Sequence, residues 1–481
     1  MSKKFLTVLV LVVVVLTTFS LVAAQSGQLP GSGWLSGQNI QNLGTDTSSI
    51  VFTAYGTDGT AYSCGSKSAG PGAAVNFLTN LDCESVPAGF VGSAVVSADQ
   101  PIAAVVNVTN RGVGTASGHY TGTDSANVNT SIAFPLFKRD YIGRTTTFYV
   151  QNASTTPNTI TATFRVGAST FPKVYPNVPA NAMVVISPID ANTPAGQFGA
   201  LTVTGTGPLA GTSLEHETSA PVATNMQASR AFTPNEYDDV AYCSLVRNAH
   251  TANEQTTGIQ AQNVSGSPQT ITVDYVFKIG NGATQTKSVT SPVLADGEAF
   301  NFYSGHVTNG IPVGALGSAK VKGDSSGNIA VVVSDRGWKT TNPLRLTTYS
   351  CAPLNSATTK VSLPQYKEFF GGNSSGLQVQ NVGTSAATVT VTYYPTQPSV
   401  LSPVVMSHST PIPPNGNIIF FNVSTPQAGI TTVSGVAATL LNTVGGVTIT
   451  SNQPIVATVN EASFAPNPSG QDTKNYEGFN Q

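Results

Sequence analysis

Charge is scarce in this sequence: only 9% of its 481 residues are Asp, Glu, Lys or Arg, where soluble domains typically carry roughly a quarter. The 21 basic and 23 acidic groups nearly cancel, which excludes a polyanion-binding surface and with it a nucleic-acid partner. Histidine is equally thin. His119, His216, His250, His306 and His408 are scattered, with no pair at i, i+2 or i, i+4, so no histidine metal site is expected. Phosphate-binding glycine loops, dinucleotide fingerprints, EF-hand loops and amphipathic helical periods are all missing. No catalytic residue and no cofactor is therefore expected. What fills the rows instead is Thr, Ser, Asn and Val punctuated by 46 Gly and 30 Pro, a composition that suits an exported β protein.

Long apolar runs occur once, in "MSKKFLTVLVLVVVVLTTFSLVAA". Lys3 and Lys4 precede the run and Val22, Ala23 and Ala24 follow it, the layout of a secretory signal peptide cut before Gln25. The expected location is extracellular or at the cell surface, with no membrane contact once residues 1–24 are gone. Cysteine is limited to four, with no Cys-x-x-Cys. Cys64 with Cys83, and Cys243 with Cys351, are the pairings that keep each bridge inside one repeat, out of three possible connectivities.

Four stretches read almost alike: "IQNLGTDTSSIVFTAY", "VQNASTTPNTITATFR", "AQNVSGSPQTITVDYV" and "VQNVGTSAATVTVTYY". They put Gln41, Gln151, Gln262 and Gln380 in register at spacings of 110, 111 and 118 residues. A second phrase follows each, marked by Pro101, Pro221, Asn328 and Pro454. A period this long matches a whole domain rather than a solenoid repeat. Val389, Val391 and Tyr393 alternate with Thr390, Thr392 and Tyr394, the period of a strand with one buried face. Leu377 and Val379 alternate with Gln378 and Gln380 just before, so the phrase is expected to be a β-hairpin turned at Asn and Gly. About seven short strands per unit of ~100 residues indicate antiparallel, immunoglobulin-like β-sandwiches. The expected fold class is all-β: a tandem string of four sandwiches at 25–130, 131–232, 233–354 and 355–481.

A leader strand opens the second and fourth units, "SIAFPLFKRDYIG" and "KVSLPQYKEFFGG"; the third has the degenerate "AYCSLVRNA", and the first offers only Leu29 and Pro30. The leader with its Pro, the Gln-Asn phrase, "PAGFVGSAVV" and "QPIAAVVN" together resemble the uncharacterised tandem β-sandwich repeats of secreted and cell-surface bacterial proteins. That resemblance covers nearly the whole chain after residue 24. It implies the fold and carries no catalytic or binding residue.

Several clusters merit weighing. "EHE" at Glu215–Glu217 is the densest titratable run, read as one edge face between strands. "GNSSG" at Gly372–Gly376 and "GDSSG" at Gly323–Gly327 match a nucleophile elbow, which needs a strand before it and a helix after it; both are read as turns. Asp82 with Glu84, and Glu236 with Asp238 and Asp239, are the carboxylate groups, the latter a candidate for calcium at an interdomain linker. Tyr55, Tyr394 and Trp338 are candidates for a sugar-stacking platform, weighed against packing between units, and Trp34 is read as a plug on the first sandwich. Sequons occur at Asn107, Asn129, Asn152, Asn263, Asn373 and Asn422. The tail "NYEGFNQ" parallels "HYTGTDSANVN", which elsewhere feeds a leader, so strand addition between chains is expected at the leaderless first unit. The expected function is a non-enzymatic structural component of a surface layer, sheath or filament; the alternative is an adhesin or glycan-binding module. Expected partners are copies of itself, other surface proteins or a glycan.

Overall fold

A computed structural model describes residues 29–83, 86–111, 116–218, 225–250, 254–324, 327–337, 346–463 and 473–481. The expected signal peptide, Glu84, Pro221 and Trp338 lie outside those residues, as do two serines of "GDSSG". Among the described residues no helix is long and apolar enough to cross a membrane.

The first unit has seven strands: β1 (Trp34–Asn42), β2 (Ser48–Gly56), β3 (Ala61–Ala69), β4 (Ala74–Leu78), β5 (Gly92–Ala98), β6 (Ile102–Asn110) and β7 (Ser117–Thr121). They form one sheet in the order β4-β1-β6-β7 and a second in the order β3-β2-β5. The second unit opens with a leader, β8 (Asn129–Arg139), then β9 (Arg144–Asn152), β10 (Asn158–Val166), β11 (Ser169–Val178), β12 (Met183–Ile186), β13 (Gln197–Glu217) and β14 (Met226–Arg230). Here β13 is long enough to serve both layers: its first half pairs with β10 and β8, its second with β9 and β14.

The third unit repeats the plan with β15 (Val240–Asn248) as leader, β16 (Gln255–Asn263), β17 (Ile271–Ile279), β18 (Gln285–Thr290) and β19 (Ala299–Tyr303). It continues through β20 (Ala315–Gly323), β21 (Ile329–Gly337), β22 (Leu346–Ser350) and β23 (Ala352–Pro353). In the fourth, the leader is β24 (Thr358–Glu368), followed by β25 (Asn373–Asn381), β26 (Val389–Gln397), β27 (Val404–His408) and β28 (Asn417–Phe420). β29 (Ile430–Ser434), the two-layer strand β30 (Thr443–Ser463), β31 (Thr473–Glu477) and β32 (Phe479–Asn480) complete it. Every named strand pair is antiparallel, as period-two burial on short strands requires. Each unit has its own buried cluster, centred for example on Phe134, Phe148 and Phe164 in the second and Leu377, Val391 and Ile449 in the fourth. Cys64 is bonded to Cys83, and Cys243 in leader β15 to Cys351 just past β22.

Two sequence expectations are corrected. The repeated phrase is not a hairpin: β1 pairs with β4 and β6 whereas β2 pairs with β3 and β5, so the phrase is an arch that crosses from one layer to the other. Its Asn explains why the phrase recurs. Asn42 Nδ2 donates to the carbonyls of Asp46 (2.7 Å) and Ala69 (2.9 Å) while its Oδ1 accepts from the N–H of Gly44 (2.9 Å). Asn152, Asn263 and Asn381 make the same three-way bond, and all four are fully buried. Crossing layers buries carbonyls that no strand can satisfy, and a side-chain amide supplies the donors. Asn152 and Asn263 are thereby sequestered as sequons.

The second correction concerns the anchor of the second unit, which is Pro208 rather than Pro221. The N–H of Ala153 bonds the carbonyl of Pro208 (2.9 Å), as Leu43 does to Pro101 (2.8 Å), Val264 to Asn328 (3.1 Å) and Val382 to Pro454 (3.0 Å).

The string of sandwiches closes on itself. The last long strand of each unit touches the next in cyclic order, β7 on β14, β14 on β22, β22 on β31, and β31 back on β7. Glu477 on β31 ties this hub together. It accepts from Arg230 Nε at 3.0 Å, from the Ser350 N–H at 3.3 Å and from the hydroxyl of Thr121, so one carboxylate in the fourth unit holds all three others. Burial works against the charge of Arg230, but Glu236 and Glu477 overcome it and push its pKa far upward.

Candidate functional site between the first two units

The leader strands decide how neighbouring units meet. Each enters its own sandwich beside the two-layer region, with apolar residues paired to buried ones: Ile132 and Phe134 opposite Val203 and Leu201, Ala241 and Cys243 opposite Val321 and Ala319, Val361 and Leu363 opposite Ile449 and Val447. All six of those opposing residues are fully buried. A bulge follows in each leader and brings Phe137, Val246 or Tyr366 inward. The outer face of each leader then packs on the next unit: β8 on β16 and β21, β15 on β25 and β30, and β24 on β1 and β6.

Behind the bulge sits a largely buried cation with a fixed partner. Lys138 pairs with Glu215 (2.9 Å), Arg247 with Asp335 (2.6 Å) and Lys367 with Glu461 (2.8 Å). Burial works to raise the Glu215 carboxyl, but Lys138 and Arg144 overcome it and hold it at about 2. Glu461, flanked by Lys367 and Lys474, is driven well down against the same burial. Asp335 faces burial with chiefly Arg247 in its favour, and burial wins, so its pKa is raised. Tyrosine from the last long strand grips the leader backbone at the bulge. Tyr349 Oη donates to the Leu245 carbonyl (2.7 Å) and accepts from its N–H (3.0 Å), and Tyr476 bonds both polar groups of Gln365 in the same way.

The repeated Gln is the joint residue. Gln41 donates to the Val447 carbonyl (3.3 Å), Gln380 to the Ala319 carbonyl (3.4 Å) and Gln262 to the Thr202 hydroxyl (3.4 Å), each reaching into the preceding unit of the ring. Gly446 is required at the first of these joints, because a Cβ there would stand 2.7 Å from the Gln41 amide. Gln151 has no such reach; it bonds Asn181 of its own unit at 3.2 Å and is only half-buried, whereas the other three are fully buried.

Among the described residues three joints are thus closed and one is open, those of the first unit including no leader. The outer edge of β5 is unpaired among the described residues. Val96 and Ala94, the counterparts of Val203 and Leu201 by their pairing to Phe52 and Ala54, are half-buried and exposed. A cleft of about 2970 Å³ among the described residues covers the leader's position, bounded there by Phe52, Ala54 and Val96 on one side and by Tyr149, Gln151, Met183 and Leu214 of the second unit on the other, and extends to Cys351 and Glu477. Small-molecule pockets span about 300–1,000 Å³, so the cleft is on the scale of a chain segment. Two companions of the leader differ here. Val108 stands where the other units carry Glu215, Asp335 and Glu461, five residues past the partner of the repeated Gln. Tyr120, opposite Val106 as Tyr349 is opposite Val333 and Tyr476 opposite Val459, lines the cleft with no leader to hold.

The candidates from sequence fall elsewhere. Glu215 and His216 end strand β13 rather than lying between strands, and Glu215 belongs to the buried pair with Lys138. Ser374 and Ser375 of "GNSSG" are buried inside β25, not in a turn; Ser375 Oγ accepts from the Lys367 N–H at 3.1 Å. Asp82 is committed to Lys67 (2.8 Å) and the Leu78 N–H (2.6 Å). Glu236 pairs with Arg230 (2.6 Å) and Asp238 accepts from the Asn355 N–H (2.7 Å), while the Asp239 carboxyl is hydrogen-bonded to Asp238, which raises its pKa. No cluster of three metal-ligating side chains occurs among the described residues. Tyr394 packs across the joint onto Gly72, whose φ of +72° and lack of a Cβ admit the ring. Trp34 donates to the Pro30 carbonyl (3.0 Å) and packs with Leu29, Tyr120 and Tyr149, straddling the first two units. The leader cations Lys138 and Lys367 fall in register in the sequence, 13 residues before Gln151 and Gln380; their acids share a register only when the second unit is anchored on Pro208.

No family model and no curated protein matches this chain. Among solved structures, a tetra-tandem repeat in the extending region of a large adhesion protein aligns over 92% of this chain and 93% of its own, at 10% identity and a TM-score of 0.11.

Proposed function

We propose that this chain is a non-enzymatic extracellular structural subunit, a component of a cell-surface layer, sheath or filament. The hub at Glu477 carries the reading: this half-buried carboxylate at the wall of the cleft accepts from Thr121, Arg230 and Ser350 and so ties four sandwiches into one body. The buried acids Glu215, Asp335 and Glu461 serve cohesion in the same way, each facing a leader cation. Strongly shifted groups in a cleft would argue for catalysis; these shifted acids are instead inside the sandwiches. Two disulfides suit an oxidising compartment. Immunogold electron microscopy of the native cell surface tests the reading. Label on ordered surface polymers is expected; label confined to the soluble medium would overturn it, and specific binding on a glycan array would move the protein to the adhesin class.

A further inference from the structure

We propose that the open cleft is an acceptor for one extended strand donated by a separate exported polypeptide, which pairs with β5 and completes the first sandwich. The donor's chemistry is set by the three positions already filled. Inward side chains fall at i, i+2 and, after the bulge, i+5, as Ile132, Phe134 and Phe137 or Val361, Leu363 and Tyr366 do. Backbone pairing along an exposed edge supplies affinity and the alternate side chains supply register. Tyr120 waits where Tyr349 and Tyr476 hold the bulge of a leader. Because Val108 replaces the acid, the donor carries an uncharged residue where the leaders carry Lys138, Arg247 and Lys367; a cation there would be buried without a partner.

The chain's own residues do not meet this description. Counted back from Gln41 as the leaders are from Gln151 and Gln380, Val22, Ala24 and Gly27 stand in place of Ile132, Phe134 and Phe137. Ala24 and Gly27 carry less apolar bulk than Phe134 and Phe137 or than Leu363 and Tyr366. Among the described residues, segments outside strands are connections between them, and "QSGQLPGSG" has no apolar alternation. The proposed donor is accordingly a separate polypeptide that carries the i, i+2, i+5 spacing, and occupation of β5 by a second copy is an outcome of the test.

This inference rests on the structural reading above but is tested separately from it, on the purified secreted chain with its N-terminus fixed by intact mass. The probe is a fluorescent peptide of residues 129–140 with Lys138→Leu. Saturable one-to-one binding is expected, with hydrogen-exchange protection appearing at Gly92–Ala98, while light scattering reports a monomer before addition. Ala94→Glu, at an exposed position that the fold tolerates, should abolish binding without moving the melting temperature. Tyr120→Phe should weaken it about tenfold. Absence of binding, binding indifferent to Ala94→Glu, or prior occupation of β5 by a second copy or by retained residues 1–24 would each overturn the proposal. Any of those results leaves the microscopy of the cell surface to decide the structural role.

Discussion

The first and fourth units are built on one plan, and the difference that bears on the joint is the leader strand; the fourth also adds β29 and β32. In the fourth, leader β24 buries Val447 and Ile449, is gripped by Tyr476 and delivers Lys367 to Glu461. In the first, the equivalents Ala94 and Val96 face a cleft, Tyr120 lines it, and the acid has become Val108. The covalent bridge differs in the same sense. Cys64–Cys83 closes a separation of 19 residues and reaches no leader, whereas Cys243–Cys351 in the third unit closes 108 and ties leader to exit. A sandwich thus keeps its two layers without a leader but loses the leader's share of the joint, which in the first unit is left to β7 on β14 and to the cluster around Trp34.

That comparison can be broken by deleting what the leader depends on. Replacing Cys243 and Cys351 by Ser should cost about 5 kcal/mol, and replacing Cys64 and Cys83 about 3, on the loop-entropy account; urea unfolding read by hydrogen exchange of each unit distinguishes the two. Phe134→Ala should destabilise the second unit by about 4 kcal/mol, while Val96→Ala in the half-open first unit should cost about 1 kcal/mol or less.

Acid sharpens the contrast without mutation. Glu215 has a folded pKa of about 2 against an ordinary 4.5, so its contribution, on the order of 3 kcal/mol, is intact above pH ~4.5 and is lost as pH falls towards 2. The second and fourth units should loosen in that window ahead of the first, which has Val108 at this position; exchange measured at pH 5 and pH 2.5 checks the order. The smallest effect lies at the joints. Gln41→Ala should cost about 1–2 kcal/mol by stranding a buried carbonyl, and Gln151→Ala roughly 0.5 or less, measured by thermal melts.

The strands, their period-two faces and the fourfold repeat are local properties, and alternating Val and Thr flanked by Gly and Pro expose them in the sequence. So is the first unit's weak match to the leader pattern, since Val22, Ala24 and Gly27 fall in register with Ile132, Phe134 and Phe137. The arch was not legible, because an Asn at a turn reads the same whether the flanking strands pair or cross layers; only the carbonyls of Ala69, Val178, Leu294 and Ile412, some 30 residues away, identify it as a clamp. Pro208 was missed for a related reason: in one 21-residue strand the anchor carries no turn signal after it.

What the sequence determined by itself is therefore a set of four two-layer sandwiches, since side-chain alternation and turn chemistry act within a few residues. Only the tertiary structure decided that the four close into a ring around Glu477 and that three joints are sealed while one stands open. Those outcomes depend on polar atoms more than a hundred residues apart meeting at hydrogen-bond distance, as Gln41 meets Val447, and no local pattern encodes such a meeting.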